Sequence, residues 1–360
     1  MFLGNKVVTS SFELTKNESL YLDIIRVLAS QIVLIGHGIS YFSILKFLQY
    51  PNVPYMQNIA VVLFFILSGF IITYSSSQKL ENKNYSYTFF LIDRFSRIFV
   101  AFVPAIIFVT FIDFISQTIS PDGYKYTSAF NLSTFIANLF MLQDFPYGLF
   151  GGITSFGSAR PFWTIAIEWW IYLFFGILFF TVKGKHKNLK FSFVLLFISA
   201  IVPIYNLIGG RGNGLTLYWL FGMIACLLYP WYKSLPLSKY WKIVLALIML
   251  TLSIHRQIII ISAYDKIFAL IISIFLLISM NCFNLIKLNN KFVAIIKYMA
   301  SYSFTLYLVH YSILDFIQVN FIDYNPYILF LYGFIISNLI AISIGRLTEV
   351  KLTPTYQAKN

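Results

Sequence analysis

The feature that most constrains this chain is a succession of long apolar runs separated by short polar segments. A helix that crosses a bilayer needs roughly 20 mostly apolar residues. Hydrophobic residues make up 59% of the chain and charged residues only 11%, whereas soluble domains carry about 25% charged residues. The sequence therefore predicts an all-α polytopic membrane protein of about ten transmembrane helices. The predicted spans are about 20–43, 57–77, 98–119, 161–182, 190–209, 215–231, 241–256, 264–284, 296–319 and 325–346.

The basic residues predict how these spans are oriented. Most of the 26 Lys and Arg residues lie in the N-terminal segment, the C-terminal segment and every second loop. Because basic residues accumulate on the cytoplasmic side of membrane proteins, both termini are predicted to be cytoplasmic. The net charge of +13 is thus a topology signal and gives no indication of nucleic-acid binding. The cytoplasmic groups are Lys6 and Lys16, then 79–97, 183–190, 233–242, 287–297 and 346–359.

The whole chain, 1–360, is interpreted as a single membrane domain with one long external segment, 120–160. Its apolar stretch 131–142 is too short to span easily and is predicted to be a re-entrant or interfacial helix. Glycine and aromatic residues dominate the second half. That half either covers a cavity mouth and stacks on sugar rings or is an irregular loop without a ligand.

Some chemistries are excluded by what the sequence lacks. The two cysteines, Cys226 and Cys282, lie in or beside apolar spans, which argues against a disulfide scaffold and a Cys-rich metal site. No metal is predicted. The chain contains no HExxH, GxSxG or Walker motif, so the usual routes to a protease, hydrolase or ATPase are absent.

The first span carries three ionisable residues, Asp23, Arg26 and His37. Placing Arg or Asp inside the bilayer costs at least about 2.5–3.5 kcal/mol, so such residues usually have a function. Arg26 and His37 are eleven residues apart and share a helix face, roughly 16 Å apart along the axis. This face could hold an anion near the membrane surface and a titratable imidazole deeper inside. The alternative is a snorkelling Arg and a structural, hydrogen-bonded His.

Three further features lie before or within later spans. Arg94 and Arg97 are three residues apart at the predicted cytoplasmic boundary. They either hold phosphates bidentately or are ordinary cytoplasmic flanking charges. Glu168 is placed near the external end of the fourth span, as a functional carboxylate or one half of an interhelical salt bridge. In the second span, Ser68-Gly69 is interpreted as a packing feature, because Gly lets a neighbouring backbone approach closely.

The ninth span carries His310 near its middle. Ser303, Tyr307 and His310 follow one another at spacings of four and three, which puts them on one polar face. His310 is either catalytic or a structural His bonded to another helix. Asp315, nearer the external end, is interpreted as interfacial.

Five ordered motifs connect these residues to a known family. They are LDIIRVLASQIVLIGH, VVLFFILSGFIITY, RFSRI, FWTIAIEWWIYL and SYSFTLYLVH. In this order, over about 20–345, the chain resembles the acyltransferase-3 family of integral membrane O-acyltransferases of bacterial surface polysaccharides. The resemblance implies transfer of an acetyl group from cytoplasmic acetyl-CoA to a hydroxyl of a cell-envelope glycan or lipid-linked sugar. It also implies a multi-pass protein of the bacterial inner membrane.

The resemblance also implies roles for particular residues. His37 becomes the catalytic base, Glu168 would orient an imidazole or bind the acceptor, and the role of His310 is left open. Arg94 and Arg97 would hold the phosphates of CoA. The implied set is catalytic His37, Glu168 and His310, with cofactor-binding Arg26, Arg94 and Arg97.

Several alternatives stay open. The acyl group passes directly to the acceptor or first to His37, and the donor is acetyl-CoA, succinyl-CoA or a longer acyl-CoA. A transporter or flippase of a lipid-linked saccharide would also place ionisable residues inside the membrane. Many relatives carry a fused extracytoplasmic esterase-like domain, and we expect none in this chain, which ends at Asn360.

Overall fold

The structure is a computed structural model that describes residues 12–146, 152–183 and 189–350, with backbone only at 189–192 and 349–350. Lys6, Lys185 and Lys187 and the glycine-rich stretch 147–151 lie outside the described residues. Within the described part all regular structure is helical. The α-helices are α1 Lys16–Phe42, α2 Met56–Lys79, α3 Tyr87–Ile119, α4 Leu132–Leu139, α5 Phe162–Val182, α6 Leu189–Ile208, α7 Leu215–Ser234, α8 Lys239–Ile260, α9 Lys266–Phe283, α10 Asn290–Ala300, α11 Ser303–Asn320 and α12 Pro326–Gly345.

The predicted fold class, a polytopic all-α membrane protein, is confirmed. Eight of the described helices are long and apolar enough to cross a membrane. Of the two predicted spans not among them, one corresponds to the bent pair α10 and α11 and the other to α6. The predicted short helix in the external segment is also present, as the eight-residue α4.

The ninth span differs from the prediction because it is broken. Helices α10 and α11 meet at an angle of 56°, and Tyr302 between them has a non-helical backbone. Ser301 Oγ donates to Tyr298 O at 2.7 Å, and Ser303 Oγ donates to Ala300 O at 2.9 Å. Such side-chain bonds to carbonyls of the preceding turn compete with the helical ladder and favour a bend.

The seventh span is longer than predicted. The apolar run was expected to end near residue 256, but α8 continues to Ile260. Arg256 therefore lies inside the helix, and its Nε and Nη2 donate to the two carboxylate oxygens of Asp265, both at 2.9 Å. Asp265 also caps α9, since its side chain accepts from Phe268 N. The hydrogen bond from Arg256 holds the pKa of Asp265 below its ordinary value.

Helices α2 and α7 cross in close contact because two glycines face each other across the crossing. A Cβ at Gly69 would lie 1.9 Å from Trp219 O, and one at Gly222 would lie 1.9 Å from Ile66 O. Small residues at such crossings let the helix backbones touch. The structure thus agrees with the packing interpretation of Gly69.

A buried carboxylate joins α1, α7 and the end of α9 on the predicted cytoplasmic side. Glu18 is 0% exposed. It accepts from Tyr229 OH at 2.6 Å and Asn284 Nδ2 at 2.7 Å, and it pairs with Lys233 Nζ at 3.1 Å. It also completes the capping box of α1 with Thr15. Because a buried charge is tolerated only when it is paired, this cluster fixes the position of the first helix.

Candidate active site

A cavity of about 270 Å³ lies between α1, α2, α3, α5 and α11. Four of the six predicted site residues line it, namely Arg26, Arg94, Arg97 and Glu168. The prediction assigned these four to two opposite sides of the membrane, with Glu168 near the external end of its span. The structure places them around one space.

The three arginines come from two helices. Because α3 begins at Tyr87, Arg94 and Arg97 lie about two and three turns inside the helix, and not in the segment that leads into it. The Arg94 guanidinium lies 5.7 Å from the Phe90 ring centroid, and Arg94 Nε has no hydrogen-bond partner among the described residues. Arg26 Nη1 pairs with Asp23 Oδ1 at 3.3 Å. Three guanidiniums against one lining carboxylate give the cavity an excess of basic side chains.

Glu168 has hydroxyl groups as its partners. It lies about two turns inside α5 and accepts from Ser68 Oγ at 2.7 Å and from Tyr172 OH. Trp219 Nε1 in turn donates to Ser68 Oγ at 3.2 Å. Among the described residues Glu168 has neither a hydrogen bond to an imidazole nor an ion pair, so neither the orienting role nor the salt bridge considered for it is seen. Both hydroxyls donate to the same carboxylate oxygen, Oε1.

The polar face predicted for the ninth span extends from the cavity to His310. Ser303 and Tyr307 both line the cavity, and Tyr307 OH lies 2.7 Å from Thr164 Oγ1. The Tyr307 ring centroid lies 6.0 Å from that of His310. Tyr307 therefore separates the arginine-lined cavity from the histidine pair.

The two predicted histidines face each other across α1 and α11. Their ring centroids are 5.3 Å apart and the rings are inclined by 35°. His310 is 0% exposed, whereas His37 keeps part of its surface accessible. His310 Nδ1 lies 3.0 Å from Leu306 O. Because a carbonyl can only accept, this contact assigns the proton of the neutral ring to Nδ1 and leaves Nε2 as an acceptor.

His310 Nε2 is buried and has no hydrogen-bond partner among the described residues. A buried acceptor without a partner is costly and is usually explained by a function or a bound molecule. The structure thus brings the six predicted residues into two adjoining groups, the cavity with its three arginines and Glu168, and the pair His37 and His310.

Some contributing residues were missed or misinterpreted. Ser68 was assigned to packing, but its hydroxyl bonds the Glu168 carboxylate. Tyr172 follows Glu168 by four residues, the spacing of neighbours on one helix face, so a local signal for it existed. Thr164 precedes Glu168 by four residues and so lies on the same helix face. The contact of Ser68 with Trp219 joins distant parts of the chain and has no local signal.

Comparison with known proteins decides the family. The acyltransferase-3 family model, described as an acyltransferase domain, matches residues 19–346. The chain belongs to the acyltransferase-3 family. It is therefore a multi-pass membrane protein of an acyltransferase family.

An uncharacterized protein of Haemophilus influenzae is 26% identical to this family member over 137 residues, which cover 38% of this chain and 55% of that protein. The chain thus spans about half the length of this curated relative. No solved structure matches the chain.

Proposed function

We propose that this acyltransferase moves an acetyl group from cytoplasmic acetyl-CoA to a hydroxyl of a cell-envelope glycan or a lipid-linked sugar, in the bacterial inner membrane. The observation that carries the proposal is the position of the arginine-lined cavity directly beside the His37–His310 pair, with Tyr307 between them.

The cavity suits the donor in charge and in size. Arginine presents a rigid fork of N–H donors that matches phosphate oxygens, and three arginines line this space. Its volume of about 270 Å³ lies at the lower limit of ligand pockets, which run from about 300 to 1,000 Å³. We infer that the arm and thioester of acetyl-CoA enter the cavity, that the diphosphate at the base of the arm meets the arginines, and that the adenosine end stays on the basic cytoplasmic surface.

The histidine pair supplies the base. An acceptor hydroxyl gives its proton to a nitrogen of His37 while its oxygen attacks the thioester carbonyl carbon. The tetrahedral intermediate collapses, the C–S bond breaks, and the CoA thiolate takes the proton from His37. In the neutral His310 ring, Nε2 can only accept a hydrogen bond. His310 is therefore suited to accept from an N–H of His37 and so to orient the His37 ring.

A two-step variant uses the same residues. His37 first attacks the thioester and carries the acetyl group, and the acceptor hydroxyl then attacks the acyl-imidazole. Detection of acetyl-His37 after incubation with acetyl-CoA alone would select the two-step route. Its absence under conditions of full turnover would select direct transfer.

The first test is binding of acetyl-CoA by the purified, detergent-solubilised protein, measured by equilibrium dialysis. We expect Arg94→Ala with Arg97→Ala to weaken binding by roughly tenfold or more per arginine, since a hydrogen bond to a charged group contributes about 1.5–3 kcal/mol. Lys46→Ala is the matched control, because Lys46 is an exposed cation in the connection between α1 and α2, outside both the cavity and the cytoplasmic basic groups. We also expect binding by the intact protein to weaken with added salt.

Equal affinity of the intact protein and the double-arginine variant would contradict the assignment of the cavity to CoA. If succinyl-CoA or a longer acyl-CoA competes for the site more strongly than acetyl-CoA does, the assignment of the donor changes. The proposed enzyme class then stays the same. If the folded, intact protein neither binds nor consumes any acyl-CoA, the proposal fails and transport of a lipid-linked saccharide takes its place.

A further inference from the structure

A second group of polar side chains lies on the outer side of His37. It comprises Tyr41 at the last turn of α1, Tyr126 from the external segment, and Tyr311 and Asp315 on α11, and we name it the outer tyrosine cluster. Tyr41 follows His37 by four residues and Asp315 follows Tyr311 by four. The cluster therefore begins one helical turn from His37 on the external side.

Hydrogen bonds join the members of this cluster. Tyr41 OH donates to Asp315 Oδ1 at 3.2 Å. Tyr126 OH lies 3.3 Å from Tyr41 OH, and either hydroxyl can be the donor. Asp315 is only 4% exposed and is thus buried within the protein, while its position at the membrane interface stays a prediction.

A second buried carboxylate nearby serves as a comparison. Asp113 accepts from Ser158 N at 2.7 Å and from Ser158 Oγ at 2.5 Å, and these bonds tie the external segment to α3. Asp315 accepts from Tyr41 and Tyr126, which fills about two of its roughly four acceptor positions. Asp113 thus has an evident structural role, and Asp315 retains acceptor capacity for hydroxyl groups.

The rings of the cluster connect Asp315 to His37. Tyr311 lies edge-on to His37, with centroids 4.9 Å apart, and edge-on to Tyr41, with centroids 5.0 Å apart. His37 and the three tyrosines all keep part of their surface accessible. A set of accessible aromatic rings around a small number of fixed polar groups is the usual composition of a ligand site.

We propose that the outer tyrosine cluster is the binding site for the acceptor and that it takes a neutral sugar ring. This inference rests on the proposed function, because it supplies the hydroxyl that His37 deprotonates. The tyrosine rings pack against the apolar face of the sugar, and Asp315 accepts a hydrogen bond from one of its hydroxyls. The acceptor is neutral because the buried carboxylates of Asp315 and the nearby Asp113 outweigh the neighbouring cation Lys125, which is exposed to solvent. An anionic sugar would therefore be repelled.

The proposal is tested with methyl α-glucoside as the probe, without any acyl-CoA. Saturation-transfer NMR on the purified protein reports whether the protein binds the glucoside, and equilibrium dialysis of acetyl-CoA on the same samples reports whether the donor site is intact. The variants are Asp315→Asn and Tyr41→Phe, which preserve shape. Their matched controls are Asp323→Asn and Tyr324→Phe, both exposed on the external side beyond α11.

We expect a glucoside signal from the intact protein and both controls, and a signal reduced by roughly tenfold in Asp315→Asn, as for loss of a hydrogen bond to a charged group. Tyr41→Phe removes the hydrogen bond that holds Asp315 in position, so we expect it to reduce the signal as well. Acetyl-CoA binding stays unchanged in all five proteins, which also shows that the cluster variants are folded. If Asp315→Asn does not bind acetyl-CoA, that variant counts as misfolded, and the glucoside signal of Tyr41→Phe alone tests the inference.

The inference is overturned if the intact protein gives no glucoside signal, or if the cluster variants give the same signal as the controls. A cluster-dependent glucoside signal in an intact protein that binds no acyl-CoA would support this site and contradict the acyltransfer function. The two proposals can therefore fail separately.

Discussion

The crossing of α2 and α7 offers a direct test of how the packing supports the site. The perturbation is Gly222→Ala, a single added methyl group. Its Cβ would lie 1.9 Å from the backbone oxygen of Ile66 and 3.0 Å from Phe70 N. Neither atom belongs to a side chain that can rotate away, so the two helices have to separate.

The magnitude follows from that distance. Real Cβ contacts lie at 3.0 Å or more, so the crossing has to open by about 1.1 Å from 1.9 Å. Overpacking of this kind costs about 1–3 kcal/mol, and a rigid backbone neighbour places the cost near the upper value. The same crossing holds Ser68 against Trp219, so we expect the proposed acetyl transfer to fall as well.

The assay is thermal unfolding of the detergent-solubilised protein, followed by size-exclusion recovery after heating. We expect Gly222→Ala to lower the melting temperature by at least about 5 °C. Gly209→Ala is the matched control, because a Cβ at Gly209 meets nothing within 4 Å. If Gly222→Ala has the same melting temperature as the intact protein and Gly209→Ala, the close contact between α2 and α7 is refuted.

Three more predictions concern single side chains. Ser68→Ala removes the acceptor of the buried Trp219 N–H and is expected to lower the free energy of unfolding by about 1–3 kcal/mol; an unchanged melting curve would contradict this contact. Asp113→Asn weakens the hydrogen bonds to Ser158. We therefore expect limited proteolysis of the external segment to be faster than in the exposed control Asp122→Asn. Equal cleavage rates in the two variants would count against this role of Asp113. Asp265 has a folded-state pKa lowered by Arg256, so its contribution to stability is present above the unfolded pKa and lost as pH falls through the folded value. The melting temperature of Asp265→Asn is thus expected to lie below that of the intact protein at pH 7 and to approach it below about pH 4, whereas a gap independent of pH would argue against this ion pair.

The sequence predicts the helices well because long apolar runs have few other ways to satisfy their backbone in a membrane. The break at Tyr302 was not predicted, since it depends on hydroxyls at 301 and 303 that bond back to the preceding turn. The end of α8 was placed too early because two charged or titratable residues, His255 and Arg256, interrupt the apolar run, while Asp265 from the next helix pairs with Arg256.

For the candidate site, the sequence supplies residues and the fold supplies their neighbours. Arg94 and Arg97 could be paired from their spacing alone, because residues three apart share a helix face. That Glu168 lines the same cavity depends on how α3 packs beside α5. The burial of Asp315 beneath Tyr41 likewise depends on the contact between α1 and α11, for which one sequence carries no periodic signal.

The central claim is that His37 performs acetyl transfer, and release of free CoA thiol from acetyl-CoA by the purified protein, in the presence of cell-envelope glycan, tests it most directly. His37→Ala is compared with His255→Ala, which removes an exposed histidine of α8. We expect His37→Ala to lose at least roughly 100-fold in turnover, the range for a general base, while acetyl-CoA binding persists and His255→Ala keeps the rate of the intact protein. Turnover by His37→Ala at the rate of the intact protein would contradict the account.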